Sequence, residues 1–346
     1  MNLEQTLAQF DYDYPKNLIA TKPSVPRDAA KLLIFDSQTK QISEDKYKNI
    51  AKYLPKNRIL VFNQTKVVPA RLRVNKDTGG KATLLYISHD GKLITCLSDR
   101  RLRIGSKLIF HKYSFEITGH NNQFYLLKPT FPLSKTFEIL EKFGETPLPP
   151  YIKNSKLSKA KIKSEYQTVF AKTKGSVAAP TASLHFTKDL LKKIEKSGVK
   201  IAYITLHVNL GTFASLTENQ LLNGKLHSEW YEIDKKTQKL LNSAKKQNRP
   251  IIAVGTTVAR TLESASNNKG EITKPTGTTN LFIRPGYKFK FITDLITNFH
   301  VPKSSLMMLV ASLVGLPQLL TLYKFAVIKK YRLFSFGDGM FIKKSL

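Results

Sequence analysis

A change in hydrophobic pattern near residue 150 divides the chain into two regions that need different folds. Upstream, short β-type runs follow one another from about residue 58 to residue 128. These runs are ILVFN, VVPARLRV, ATLLYI, KLITCL, KLIFHKY, FEITG and FYLLK. Turn residues that tolerate positive φ separate several of them, at 77–80, 89–91 and 120–122. The pattern predicts a small antiparallel β-barrel.

Downstream of the proline cluster at 146–151, helical patterns alternate with strand patterns. In the segment 187–198, Thr187 can cap a first helical turn and Gly198 can end the helix. An apolar stripe lies between them, and a strand pattern follows directly. The sequence therefore predicts an α/β region with a largely buried sheet, and 346 residues are enough for two domains.

The chain is strongly basic, with 56 Lys and Arg against 25 Asp and Glu and a formal net charge of +31. Such a charge attracts polyanions, so nucleic acid is the first partner to consider. A lysine-rich genomic composition is the alternative cause. The segment 153–174 holds seven lysines and one acid, which predicts either a solvated linker or a nucleic-acid contact surface.

Cys96 is the only cysteine, which excludes an intrachain disulfide and cysteine-based zinc or iron–sulfur sites. We expect a cytoplasmic protein, because the first residues lack a secretory pattern. Residues 304–323 carry no charge, yet Pro317 and Gln318 interrupt them. Two core helices meeting at Gly315 are therefore favoured over a transmembrane helix.

Several compact polar clusters stand where predicted strands end, at 205–213, 253–264 and 297–304. Ligands of open α/β sheets bind at the carboxyl ends of strands. Another segment, 175–186 (GSVAAPTASLHF), is free of charge and ends near a histidine. Each cluster taken alone is equally typical of ordinary loops, so the prediction rests on their number.

Histidines occur in four such segments: His185, His207, His227 and His300. Histidine can move protons near neutral pH, and Glu229 or Lys303 close by could assist. A hydrogen-bonded structural role is the alternative for each one. No H-E-x-x-H motif or tight ligand pair supports zinc. Near the end of the chain, aromatic residues surround Arg332 and Asp338, either as core or as a platform for bases.

Taken in order, these clusters resemble one family, the S-adenosylmethionine:tRNA ribosyltransferase-isomerases of queuosine biosynthesis. The similarity runs from about residue 10 to residue 342. The strings that carry it are FDYDYPKNLIA, VVPARL, TPLPPYI, YQTVFAKTKGSVAAPTASLHFT, TLHVNLGTF, LHSEWYEI, AVGTTVARTLES, LFIRPGYKFKFITDLITNFHVPKSSLMMLV and YRLFSFGDGMFI.

The resemblance implies an α/β main domain, residues 1–62 with 148–346, and an inserted antiparallel β-barrel domain, residues 63–147. It implies transfer of the ribosyl group of S-adenosylmethionine to the aminomethyl group of a deazaguanine at the tRNA wobble position. The ribose rearranges to give epoxyqueuosine, and adenine and methionine leave. S-adenosylmethionine is thus a consumed substrate, and no cofactor, metal or membrane is expected. We expect a monomer.

Site residues follow from the same resemblance together with the chemistry. The catalytic candidates are His185, His227, Glu229 and His300, with base and acid unassigned. The candidates for binding S-adenosylmethionine are Thr181, Gly211, Thr212, Phe213, Thr256, Arg260, Phe299 and Asp338. The candidates for binding tRNA are Lys66, Arg71, Arg73, Lys303 and Arg332. The segment 63–112, with eleven basic and three acidic residues, suits tRNA phosphates.

The chain departs from the family pattern at a few places. Ser183 and Asn209 stand where the family has glycine, and Lys66 stands where it has arginine. A side chain at 183 or 209 could obstruct backbone contact with a ligand. Two alternatives remain: a non-catalytic or divergent RNA-binding relative, and a methyltransferase, which the lack of a glycine-rich loop early in an α/β unit disfavours.

Overall fold

The computed structural model of the protein describes residues 2–54, 56–121, 123–152, 155, 157–209 and 215–344. Its strands, numbered in chain order, are β1 Lys31–Asp36, β2 Ile42–Lys46, β3 Ile59–Asn63, β4 Thr65–Val67, β5 Arg71–Lys76, β6 Lys81–His89, β7 Ile94–Ser98, β8 Lys107–Phe110, β9 Tyr113–Asn121, β10 Phe124–Pro129, β11 Thr173–Ser176, β12 Lys200–Leu206, β13 Lys225–Glu232, β14 Ile251–Val254, β15 Thr276–Leu281, β16 Asp294–Asn298 and β17 Gly339–Lys343. Its α-helices are α1 Leu3–Ala8, α2 Thr136–Phe143, α3 Lys159–Glu165, α4 Lys188–Lys196, α5 Glu218–Asn223, α6 Lys235–Lys246, α7 Thr256–Ala265, α8 Ser305–Val314 and α9 Leu316–Ile328.

Within these residues, nine strands form one mixed sheet in the order β15-β13-β12-β3-β14-β16-β17-β1-β2. The four central strands, from β12 to β16, run parallel to one another. β17 is antiparallel to β16 and parallel to β1. Early and late segments of the chain therefore lie side by side in one sheet.

Both faces of this sheet are covered, as the α/β pattern predicts. Alternate residues of β3 belong to different cores: Ile59 and Val61 pack on the face covered by α6 to α9. Leu60 and Phe62 pack on the other face, with α4 and a 3₁₀ turn. The sheet is thus the middle layer of a three-layer domain.

One strand of the predicted barrel belongs elsewhere. Residues 59–63 (ILVFN) head the run of β-type segments in the sequence, but they form the fully buried central strand β3 of the large sheet. The physical reason is visible in the sequence, because four consecutive apolar residues suit a strand that is buried on both faces rather than a barrel strand with one wet face.

The remaining runs confirm the predicted barrel. β5 to β10 close into an antiparallel barrel in the order β10-β7-β6-β5-β8-β9. Burial alternates along its strands, for example in β5 and β8, as a closed sheet with one wet face requires. Ile139 and Leu140 of α2 complete its core. The fold is an α/β domain with a small β-barrel, and the exact domain boundaries stay a prediction.

The helix predicted at 187–198 is confirmed as α4. Thr187 Oγ1 accepts a hydrogen bond from Leu190 N at 3.1 Å, which satisfies a first-turn donor. Its apolar stripe is buried against the sheet. Gly198 follows with a φ of +87°, which ends the helix.

The uncharged segment 304–323 forms two helices rather than one span. α8 and α9 meet at Gly315 and bend by 111° relative to each other. Pro317 stands in the first turn of α9, where a missing N–H costs nothing. In the part of the chain that the structure describes, no single helix is long and apolar enough to cross a membrane.

Candidate active site

Three polar residues and a glycine stand where the four parallel strands end, at one edge of the large sheet. Asn63 ends β3 and Asn298 ends β16, while His207 and Gly255 directly follow β12 and β14. Asp338 reaches the same edge because it precedes β17, which runs antiparallel to β16. Open α/β sheets bind ligands at this edge.

A cavity that is partly open to solvent lies at this edge. This strand-end cavity is lined by Tyr151, Ala179, Pro180, Thr181, Ala182, Val208, Gly255, Thr256, Thr257, Thr297, Asn298, Phe299, His300, Val301, Ser304, Leu306, Phe334 and Ser335. None of these lining residues is lysine, arginine, aspartate or glutamate. A cationic ligand would therefore meet no like charge on these walls.

Gly255 shapes the wall where β14 turns into α7. Its φ of +96° is a conformation that residues with a side chain rarely adopt. The turn places Thr256 and Thr257, at the start of α7, in the cavity lining. Asn63 Nδ2 reaches Thr257 Oγ1 at 3.3 Å, so the end of β3 supports the same turn.

Asn298 links the cavity to a buried histidine. Its Oδ1 accepts a hydrogen bond from Thr181 Oγ1 at 2.9 Å, and its Nδ2 lies 3.4 Å from His185 Nε2. Because an amide nitrogen only donates, His185 Nε2 is the acceptor. The His185 ring also stacks on Tyr47, with centroids 4.2 Å apart. His185 thus orients a cavity residue and does not itself line the cavity.

His300 lines the cavity and is held from several sides. Its Nε2 lies 2.9 Å from Thr297 Oγ1. Its backbone N–H donates to Tyr323 Oη, and its carbonyl accepts from Tyr12 Oη, both at 2.8 Å. The neighbouring Phe299 is fully buried and packs against Tyr323. The motif that contains Tyr12 therefore serves to fix the cavity wall.

Both buried histidines are neutral near pH 7. Burial is the largest cause, and it lowers the pKa of His185 and of His300 to about 3. Nearby Arg332 adds to the lowering for His185. A neutral imidazole adds no positive charge to the site, but a group with so low a pKa is a poor proton acceptor near pH 7.

The lowered pKa of His300 predicts a stability effect in mild acid. Between the unfolded pKa of 6.5 and the folded pKa of about 3, the unfolded state binds the extra proton, so stability falls as pH falls below 6.5. Replacing His300 by glutamine should remove roughly 2 kcal/mol of the loss in the free energy of unfolding between pH 6.5 and pH 5. Urea unfolding at several pH values measures this, and His120→Gln on the barrel surface is the control. Equal pH slopes in wild type and His300→Gln would contradict the expectation.

A second pocket adjoins the cavity. This Arg260 pocket is lined by Ser215, Leu216, Gln220, Leu226, His227, Glu229, Arg260, Ile283, Ser305, Leu306 and Leu309. Leu306 lines both spaces, so they are neighbours. Glu229 and Arg260, both at least nine-tenths buried, form an ion pair through Arg260 Nη1. Glu229 Oε1 also accepts a hydrogen bond from Asn209 N at 3.0 Å.

His227 stands at the junction of the two domains. It lines the Arg260 pocket and is only partly buried. The ring of Phe124, the first residue of barrel strand β10, is perpendicular to the His227 ring, with centroids 6.3 Å apart. The barrel therefore reaches the rim of this pocket.

Comparison with known proteins agrees with this architecture. The profile of a family described as "Queuosine biosynthesis protein" matches residues 7–342. The chain belongs to the queuosine biosynthesis protein family.

Relatives and a solved structure extend the match. Proteins named S-adenosylmethionine:tRNA ribosyltransferase-isomerase from Thermoanaerobacter sp. (strain X514) and Carboxydothermus hydrogenoformans are 44% and 43% identical, each over 97% of this chain and 99% of the relative. The crystal structure of S-adenosylmethionine tRNA ribosyltransferase from Thermotoga maritima is 30% identical, with a TM-score of 0.55. It covers 96% of this chain and 99% of that one.

The predicted queuosine-family site residues fall into four groups. Thr181, Thr256, Phe299 and His300 line the strand-end cavity, and His227, Glu229 and Arg260 line the adjoining pocket. His185 and Asp338 line neither. Gly211, Thr212 and Phe213 lie outside the described residues. Their individual roles stay predictions.

Asp338 has a structural task at the sheet edge. Its Oδ1 accepts from Lys31 N at 3.0 Å, and its Oδ2 accepts from Arg332 N at 2.8 Å. It also pairs with the Arg332 side chain at 3.5 Å. The carboxylate thus joins the starts of β1 and β17 to the preceding loop, and Arg332 is partly neutralised.

The five predicted tRNA contacts are dispersed. Lys66 lies on β4, opposite Lys174 of β11 in a two-stranded parallel sheet. Arg71 and Arg73 lie on β5 of the barrel, where Arg73 pairs with Glu145. Lys303 pairs with Asp11 at 2.8 Å. Lys66 and the β5 arginines are close in sequence to the junction between barrel and sheet. Lys303 precedes the cavity residue Ser304, and Arg332 pairs with Asp338 at the sheet edge.

Asn298 is a functional candidate that the sequence did not single out. It ends the fully buried strand β16 and is itself 2% exposed, so its amide needs partners inside the protein. Leu306, shared by both pockets, carries no signal in the sequence.

Ser183 does not line the cavity, but its fully buried hydroxyl has no hydrogen-bond partner among the described residues. No group of three or more possible metal ligands occurs in the described ranges.

Proposed function

We propose that this chain is an S-adenosylmethionine:tRNA ribosyltransferase-isomerase. In that reaction the ribosyl group of S-adenosylmethionine is transferred to the aminomethyl group of a wobble-position deazaguanine and isomerised to epoxyqueuosine. Adenine and methionine are the other products. The observation that carries the proposal is the 42–44% identity to relatives of that name over almost the whole chain.

The strand-end cavity supports the same proposal from physical chemistry. S-adenosylmethionine carries a positive sulfonium, and the lining of the cavity contains no formally charged side chain. Low pKa values keep the adjacent imidazoles of His185 and His300 uncharged. The protein has a net charge of +31, so its surface repels a cationic ligand. A cavity without charged side chains avoids that repulsion.

Among the catalytic candidates we propose His227 as the proton acceptor. The carbon next to a sulfonium is acidified by the charge, but its proton still needs a base. His185 and His300 are poor bases because burial lowers their pKa to about 3. Glu229 forms an ion pair with Arg260 and accepts a hydrogen bond from Asn209 N, so its carboxylate is already occupied. His227 is partly exposed and adjoins the cavity through the shared Leu306.

For the tRNA we propose a contact surface on the barrel and its junction with the sheet. Arg73 and Lys159 are both largely exposed and both pair with Glu145, at 3.5 and 2.6 Å, so β5 and α3 present their cations side by side. Lys66 and Lys174 extend the positive surface. Paired surface cations still attract phosphate, because one acid cannot neutralise two of them. We further propose a cytoplasmic monomer without a cofactor.

One assay tests the function directly. The protein is incubated with S-adenosylmethionine and with tRNA that carries the aminomethyl-deazaguanine, and free adenine and the mass of the modified nucleoside are measured. We expect adenine release that requires the tRNA, together with a heavier nucleoside. tRNA binding without adenine release would favour the non-catalytic RNA-binding alternative, and methylated RNA would favour a methyltransferase.

A charge introduced into the cavity should oppose binding of the sulfonium. Val301 lines the cavity and is partly buried. Val301→Lys should weaken S-adenosylmethionine binding by about 10-fold to 100-fold relative to Val301→Met, which adds similar bulk without charge. Calorimetric titration of both variants measures the difference. Equal affinities would remove electrostatics as the reason for the uncharged lining.

A further inference from the structure

Arg260 carries a buried hydrogen-bond donor with no acceptor. Its Nε donates to Leu281 O at 3.0 Å, and its Nη1 pairs with Glu229. Its Nη2 has no partner among the described residues, although Arg260 is only 8% exposed. An unpaired buried donor costs free energy that a ligand acceptor would recover. Arg260 lines the pocket next to the strand-end cavity, so the missing acceptor can come from a ligand.

The surroundings of Arg260 define the chemistry of that ligand. A guanidinium fork matches a carboxylate, which can accept two parallel hydrogen bonds. Because Glu229 already compensates the positive charge, the pair suits a zwitterion better than a simple anion. Ser305, in the first turn of α8, also lines the pocket, and the start of a ten-residue helix favours a negative group. An α-amino acid group combines the required carboxylate with an ammonium.

The relation of the two spaces indicates one ligand that spans both. Ser304 lines the cavity, Ser305 lines the Arg260 pocket, and Leu306 lines both. We propose that the Arg260 pocket binds the amino-acid end of S-adenosylmethionine, with Arg260 Nη2 donating to its carboxylate. The nucleoside end then occupies the uncharged cavity, and the sulfonium lies near Leu306. This inference rests on the proposed function and assigns the two ends of its substrate.

The test changes the ligand and the protein together. Three ligands are titrated calorimetrically: S-adenosylmethionine, its analogue with a carboxamide in place of the carboxylate, and 5′-methylthioadenosine, which lacks the amino-acid end. The variant is Arg260→Lys, which keeps a positive charge beside Glu229 but loses the guanidinium fork. Arg58→Lys is the matched control, because Arg58 forms another buried pair, with Asp294, outside both pockets.

We expect the carboxamide analogue to lose affinity only where Arg260 is present. In the wild type and in Arg58→Lys, the carboxamide analogue should bind about 10-fold to 100-fold more weakly than S-adenosylmethionine. In Arg260→Lys that ratio should fall to about three-fold or less, while 5′-methylthioadenosine binds as it does to the wild type. The unchanged binding of 5′-methylthioadenosine also shows that the variant is folded.

Two outcomes would overturn the assignment. One is wild-type protein that binds the carboxamide analogue as tightly as S-adenosylmethionine, a result that needs no variant. The other is Arg260→Lys that weakens all three ligands equally, which would make the arginine a structural residue only. Adenine release by the wild type is measured in parallel, so a protein that releases adenine but fails these titrations would retain the proposed function and lose only this assignment.

Discussion

Replacing His227 by glutamine is expected to slow adenine release by about 100-fold to 10,000-fold while S-adenosylmethionine binds almost as before. Glutamine keeps a polar side chain of similar size but cannot take up a proton near neutral pH. His227 is the partly exposed histidine beside the cavity, whereas burial lowers the pKa of His185 and His300 to about 3. The loss should therefore lie in the chemical step.

Single-turnover adenine release, combined with calorimetric titration of S-adenosylmethionine, separates the chemical step from binding. His120→Gln, an exposed histidine on β9, is the matched control and should behave as the wild type does. A variant that releases adenine at nearly the wild-type rate would exclude His227 as the base. A variant that only weakens binding would assign it a positioning role.

Replacing Glu263 by alanine should destabilise the fold by at least about 4 kcal/mol. Glu263, in α7, is 1% exposed. Its carboxylate accepts from the backbone N–H groups of Lys290, Phe291 and Ile292 at 2.8 to 3.0 Å and from Tyr287 Oη at 3.1 Å. Alanine would leave these four donors without their acceptor at the entrance to β16.

Urea unfolding of Glu263→Ala measures this effect. Glu271→Ala is the control, because Glu271 forms an exposed pair with Lys246, and exposed pairs contribute about 1 kcal/mol or less. If both variants lose similar amounts of stability, the Glu263 carboxylate does not hold the loop at 287–292. Since β16 carries Asn298 and leads into His300, a displaced loop should also weaken S-adenosylmethionine binding.

Features governed by local pattern could be predicted from the sequence. The helix α4 follows from a capping threonine, an apolar stripe and a terminal glycine, and the break between α8 and α9 follows from Gly315 and Pro317. Apolar and polar residues alternate along the barrel strands, and turn residues separate the strands. These strands can therefore be predicted from the sequence. These are properties of neighbouring residues.

Long-range pairing could not be predicted from local pattern. The residues ILVFN do not indicate that β3 lies between β12 and β14. The sequence around Asp338 does not indicate that its carboxylate accepts a hydrogen bond from Lys31 N. His185 shows the same limit for the site. The resemblance and the chemistry make it a catalytic candidate, but only the tertiary fold shows that it stacks on Tyr47 and lies within hydrogen-bond distance of the cavity residue Asn298.

The order of the strands also has a consequence for synthesis. β17 lies between β16 and β1, with Leu32 paired to Gly339. During translation β1 and β2 emerge early, but the strand that links them to the rest of the sheet is residues 339–343. The β1–β2 hairpin can join the large sheet only through β17, so this edge of the sheet is completed after nearly all of the intervening chain has been made.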